Sequence, residues 1–308
     1  MDAVVFGNVA LDVICQGVED VPRHESIGFE RAAISPGGCA SNVAIGLRAL
    51  GVSTTIVAIV GLDEAGRLLQ EFWERHGLDL RFLRRTPAVN TGVSVGLVDR
   101  EAQPRFIHTP GASALLTVDD LDLPGIAAEG ARCLHVAGFF VLPGLLDGRL
   151  PEALRQARLL GLQTSLDVVR SPRMKDPTPL WPCLPYLDIF LCNQFEAWRL
   201  TGEDDPGRAA QALCKLGAGL AIIKLGAEGC WVESENLSLR VAASRTPVVD
   251  TTGAGDAFAA GLLAALMNGA DLRTACQAGN SAGARMVGVL GSIAGWFQEP
   301  GQERQAGK

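Results

Sequence analysis

Short apolar runs rich in Val, Ile and Leu alternate along this chain with stretches whose apolar residues recur at helical spacing, and that alternation leaves few folds open. Residues 54–60 are largely β-branched and lead through Gly61, Leu62 and Asp63 into an amphipathic stretch over 64–76. The runs 133–136, 163–169, 187–192 and 221–225 have the same strand character, and helices are predicted over 117–125, 150–160 and 272–286. Strand followed by helix, repeated, predicts parallel βαβ units and a doubly wound sheet. A chain of 308 residues buries roughly 75% of its unfolded surface, enough for one large domain with a minor appendage. No repeat of fixed period is present.

One stretch breaks the alternation. Residues 91–98 alternate in polarity, turn at Asp99, Arg100 and Glu101, and return through Arg105, Phe106, Ile107 and His108, a β-hairpin without a helix. Residues 16–31 are charged and irregular.

Residues 250–258 read D-T-T-G-A-G-D-A-F. They follow 246–249, an apolar run of the kind that ends a buried strand, and precede a segment with Phe258, Leu262 and Leu266 four apart. Gly253 and Gly255 let the backbone approach a ligand, and the amides of a first helical turn lack intrahelical partners, so the turn is an anion cradle. Asp256 stands inside it. A first-turn Asp can simply complement the helix dipole, or it can be a base taking a proton from a hydroxyl that attacks phosphorus. A dinucleotide fingerprint would need glycine at Phe258, and a Walker loop would need a lysine here.

This stretch resembles the C-terminal signature of the ribokinase-like (PfkB) carbohydrate kinases, and the resemblance extends over almost the whole chain. It implies a doubly wound, mostly parallel α/β sheet with helices on both faces and a small β-sheet lid. The main domain would comprise 1–14, 34–88 and 109–308, and the lid 15–33 and 89–108. It also implies that Gly253, Ala254 and Gly255 form the anion hole with Asp256 as base, and that Asp12 in the β-rich run after Gly7 accepts sugar hydroxyls. Gly37 and Gly38 would form a hinge and substrate turn, with Asn42 a donor to the sugar. Ribokinases proper carry lysine where this chain has Cys39, which argues against ribose. Asn193 and Glu196, three apart, are a capping box on local grounds. By resemblance Asn193 touches the nucleotide phosphates and Glu196 acts on magnesium through water.

The turn holding Lys224, Gly226 and Gly229 would border the nucleotide, commonly with a hydroxyl residue in place of Lys224, which either meets a phosphate or points away. Asn280 falls where a residue often faces adenine. Backbone around Asp250, Thr252, Val289 and Gly291 would form a monovalent cation site, although Gly295 replaces the usual serine near the end of that loop. Arg170 reads as a solvated surface residue. The implied activity is ATP- and magnesium-dependent phosphorylation of a primary hydroxyl on a sugar or sugar-like compound, of ribokinase, fructokinase or 2-keto-3-deoxygluconate kinase type. Potassium activation and homodimerisation through the lid stay open.

The remaining composition excludes more than it identifies. A net charge of -7 and a pI near 5.2 disfavour a nucleic-acid surface or a polybasic membrane patch. Eight cysteines without a C-x-x-C pair fit buried thiols of the cytoplasm. The start of the chain lacks a basic n-region, and the longest apolar stretch, 134–146, is too short to span a bilayer. The histidines His24, His76, His108 and His135 lack metal-ligand spacing. A nucleoside kinase is the alternative on the same scaffold, but it needs aromatic surface, and Phe29, Phe106 and Phe139 are the few aromatics available near the lid. A sugar-binding regulator without turnover is the alternative of another class; the intact Asp256 and both glycines argue against it.

Overall fold

The structure is a computed structural model and describes residues 1–101 and 104–297. In chain order its first part contains β1 (Ala3–Gly7), β2 (Ala10–Gln16), β3 (Arg31–Gly37), α1 (Cys39–Ala49), β4 (Thr54–Gly61), α2 (Glu64–Arg75), β5 (Leu83–Thr86), β6 (Thr91–Val98) and β7 (Pro104–Gly111). Then follow α3 (Leu123–Ala128), β8 (Cys133–Ala137), α4 (Leu150–Leu159), β9 (Gln163–Asp167), β10 (Ile189–Asn193), α5 (Gln194–Thr201), α6 (Pro206–Lys215), β11 (Leu220–Lys224), β12 (Cys230–Glu233), β13 (Ser238–Val241), α7 (Ala254–Met267) and α8 (Leu272–Val287).

Nine strands form one sheet in the order β13-β12-β11-β10-β9-β8-β1-β4-β5. Pairing is parallel except where β12 returns against β11 and β13 against β12. A parallel strand covered on both faces must be apolar at every position, and β1 shows this with period two. Val4 and Phe6 pack into one core beside α3, α4, α5 and α6, while Ala3 and Val5 pack into a second beside α1, α2, α7 and α8. The chain winds outward from β1 in both directions. The carboxyl edge beside β1 is therefore a topological switch point, the usual place for a ligand in an open α/β sheet. No helix among the described residues is long and apolar enough to cross a membrane.

The lid exists as a separate four-stranded sheet, ordered β3-β2-β6-β7. Its strands are longer than the sequence suggests, so the expected boundaries at 14/15, 33/34 and 108/109 fall inside β2, β3 and β7. Residues 17–30, expected to be part of the lid, contain no strand and connect β2 to β3. Two local expectations also fail. Residues 246–249 pair with no strand; Val249 instead donates to Val287 O at 2.8 Å, so the glycine turn is entered from an irregular segment pinned on α8. The stretch 117–125 splits into a 3-10 turn over Val118–Asp120 and α3. Pro124 lacks the amide that a continuous helix needs, yet it fits a first turn.

Candidate active site

The site is assembled at the carboxyl ends of β1, β9, β10 and β11, where α7 also begins. Gly253 caps α7 with φ 76°, and a Cβ there would lie 2.3 Å from Ser292 O. Both facts require glycine. Asp250 sets the turn from beneath: one carboxylate oxygen accepts from Thr252 N at 2.9 Å and Thr252 Oγ1 at 2.6 Å, and the other from Gly291 N at 2.9 Å. The fully buried Asp250 thus ties 250–252 to the loop holding Val289 and Gly291. Ala254 N–H is taken by Thr251 O at 3.3 Å, so the expected anion hole narrows. Among the described residues, nothing takes the amides of Gly255 and Asp256.

The Asp256 carboxylate is half-buried and accepts from Asn42 Nδ2 at 2.8 Å. Burial, opposed by that hydrogen bond, raised further by Asp167 and lowered by Lys224 and Cys39, pushes its pKa up to about 6. A carboxyl in that range is suited to accept a proton near neutrality. Asn42 Nδ2 orients Asp256 through one N–H and keeps a second for the expected donation, while its Oδ1 is buried without a hydrogen-bond partner. Cys39, where the resemblance leads to a lysine, lies against Asp256 as a neutral thiol, held well above its ordinary pKa by burial and the surrounding carboxylates.

Asp12 sits on the small sheet with 4% exposure. A Cβ on Gly37 would fall 1.9 Å from Asp12 Cγ, so Gly37 is the space that the carboxylate occupies. Gly38, with φ 81°, lets α1 start directly against Asn8 and Val9. Ser292 Oγ approaches Asp12 Oδ2 at 3.1 Å and Pro36 O at 3.3 Å. Burial raises the Asp12 pKa to about 7; the Ser292 hydrogen bond works against it, and Asp256 and Asp250 reinforce it. Ser292 is a site residue that sequence reasoning did not reach.

Asn193 and Glu196 form a reciprocal capping box, Asn193 N donating to Glu196 Oε2 and Glu196 N to Asn193 Oδ1, each at 2.8 Å. The local reading of that pair is therefore realised. Glu196 is nevertheless 2% exposed, and burial, opposed by Lys224, raises its pKa to about 7. Lys224 does not point away: its Nζ donates to Asp167 Oδ2 at 2.6 Å, and a Cβ on Gly255 would lie 3.2 Å from that Nζ. A groove of about 530 Å³ opens beside it, lined by Asn193, Lys224, Gly226, Phe195, Trp198 and Asp204 among others.

Two residues expected at the nucleotide, Asn280 and Gly229, lie against the end of β13. Asn280 Nδ2 donates to Val241 O at 3.1 Å and Ala242 O at 3.3 Å. Gly229, at φ 93°, leaves a gap where a Cβ would stand 2.0 Å from Val241 O. Arg170 is exposed, as expected, and lies over the Phe195 ring at 4.6 Å. Phe139 packs edge-on against Phe140 inside the core and offers no surface for a base.

A carboxylate poised near neutrality beside two open amides and an ammonium can take a proton from an alcohol while a phosphoryl group is held against it. That is the equipment of a phosphotransferase acting on an alcohol. Residues 2–298 match the pfkB family carbohydrate kinase pattern, and the chain belongs to that family. It is similar to an uncharacterized sugar kinase of Archaeoglobus fulgidus, 29% identical with 82% of this chain and 98% of the relative covered. It is also similar to a 2-dehydro-3-deoxygluconokinase of Bacillus subtilis, 29% identical with 96% and 92% covered. Among solved structures, a PfkB protein from Polaromonas sp. JS666 superposes with a TM-score of 0.78 at 27% identity, over 96% of this chain and 98% of that one.

Proposed function

We propose that this carbohydrate kinase transfers the terminal phosphoryl group of ATP to a primary hydroxyl of a sugar or sugar-like compound, with Asp256 as the base. The observation that carries this reading is the Asp256 carboxylate, fixed by Asn42 at the mouth of α7 with the Gly255 and Asp256 amides open beside it. Asp12 accepts sugar hydroxyls, and the buried Oδ1 of Asn42 offers a second acceptor. As Asp256 takes the proton, the hydroxyl oxygen attacks the terminal phosphorus, the bond to the bridging oxygen breaks and ADP leaves, and the open amides with the Lys224 ammonium stabilise the charge on the group in transfer.

Asn193 and Glu196 would organise magnesium through water, and that ion would neutralise charge on the phosphates. Backbone carbonyls near Asp250, Thr252, Val289 and Gly291 fit a potassium site, since Asp250 holds those two segments side by side. Eight free cysteines fit a reducing cytoplasm. A homodimer through the lid is supported by a cross-strand row on its outer face. Ile34, Val13, Val95 and Ile107 are neighbours in register, and Ile34 and Ile107 are each 66% exposed.

The test is Asp256→Asn in a coupled ADP assay over a panel of ribose, fructose, 2-keto-3-deoxygluconate and nucleosides. A positioned base contributes about 10²–10⁴-fold, so turnover falls by at least the lower figure while ATP still binds. Near-normal turnover of the variant would remove the base assignment.

A further inference from the structure

Lys224 ends β11 and Asp167 ends β9, with β10 between them, and the lysine stem reaches over the end of β10 to close the ion pair at 2.6 Å. The two side chains keep only 13% and 6% exposure. Such a buried pair is weak evidence for stability, because removing two charges from water costs about as much as their attraction returns. Its position is more informative. The ammonium rests against Gly255, in the turn whose amides are open, and Asp256 and Glu196 act on the same charge.

Three carboxylates therefore compete for one ammonium, and the outcome matters to the chemistry. An ammonium in contact with Asp256 would stabilise its ionised form, lower its affinity for a proton and cover the oxygen that an alcohol must reach. Asp167 prevents this by proximity, since it alone of the three has Lys224 in hydrogen-bond contact. The other Asp167 oxygen, Oδ1, is buried and has no hydrogen-bond partner in the structure. A carboxylate placed for stability alone would ordinarily have both oxygens satisfied.

We infer that Asp167 is a positioning residue for phosphoryl transfer, anchoring the Lys224 ammonium beside the glycine turn where it meets the transferred group, and keeping it off the base. This rests on the function proposed above. The groups that face Asp256 are Asn42 and Cys39 from α1, Asp167 from β9, Lys224 from β11 and Asp12 from β2. Lys224 is the cation among them, so the direction in which it is held sets the electrostatics of the base.

The experiment is a double-mutant cycle on the full chain, with Asp167→Asn, Lys224→Met, the pair combined and Asp167→Glu. Turnover, sugar KM and the acid limb of the turnover profile are measured alongside urea unfolding. A misplaced group near the reacting atoms costs about 10²-fold, so Asp167→Asn lowers kcat by about that factor with little change in sugar KM. Its acid limb moves to lower pH, as the released ammonium turns to Asp256. Asp167→Glu restores most of the turnover. In the Lys224→Met background the Asp167→Asn change has no further effect on kcat, because its action runs through the lysine. Lys224→Met alone leaves a buried carboxylate unpaired and unfolds more readily; the combined variant, with neither charge, keeps the cycle readable. Additive losses in kcat, or wild-type turnover in Asp167→Asn, would overturn the inference. Asp256→Asn serves as the control: if it is inactive while Asp167→Asn is normal, only this inference falls, whereas an active Asp256→Asn takes the proposed function with it.

Discussion

Asp12→Asn is expected to stabilise the ligand-free protein while weakening its hold on the sugar, and the gain has a defined dependence on pH. Asp12 is 4% exposed, with one hydrogen bond from Ser292 at 3.1 Å as its support. Its pKa is raised from 3.8 to about 7 in the folded chain. A raised folded-state pKa means that the fold binds the proton more tightly than the unfolded chain does. The associated stability is complete below pH 3.8 and is lost as pH rises through about 7. At about 1.36 kcal/mol per pKa unit, the ionised carboxylate costs the fold about 4 kcal/mol at pH 8 and under about 2 kcal/mol at pH 5. Asparagine has nearly the same shape and never ionises. The stability difference between Asp12→Asn and the wild type should therefore widen by about 3 kcal/mol from pH 5 to pH 8. Urea unfolding at four pH values measures it, with sugar KM from the same preparations. Parallel curves, with a difference that does not change with pH, would refute the reasoning, since they would show Asp12 neutral or well solvated throughout.

Three further outcomes follow from particular contacts. Gly37→Ala places a methyl 1.9 Å from Asp12 Cγ, so the carboxylate is displaced and sugar KM rises at least about tenfold while ATP KM stays within a factor of two; both are read in initial-rate kinetics. Asn280→Ala removes the donor to Val241 O and Ala242 O and lowers stability by about 1–3 kcal/mol in urea unfolding; if ATP KM alone changes, the side chain belongs to the nucleotide site instead. Ile107→Asp puts a charge on the exposed apolar row of the lid, so the proposed lid dimer should be lost, read as a monomer in sedimentation velocity beside the wild type.

The sequence by itself determined the architecture. Apolar, β-branched runs such as 54–60, alternating with amphipathic helical stretches, admit little but a doubly wound sheet, because a strand apolar on both faces must be covered on both. The start of α7 and the capping box were legible for a similar reason: bonds such as Thr252 N to Asp250 and Glu196 N to Asn193 join residues two or three apart, where spacing dictates geometry. Tertiary structure alone decided which polar atom meets which. Ser292 reaches Asp12 across 280 residues, Asn42 reaches Asp256 across 214, and Lys224 chooses Asp167 across 57. It also set the Asn280 amide against the Val241 and Ala242 carbonyls at the end of β13. Directional bonds between buried groups depend on ångström-scale placement by the packed strands and helices, and a linear pattern carries periodicity but not that placement.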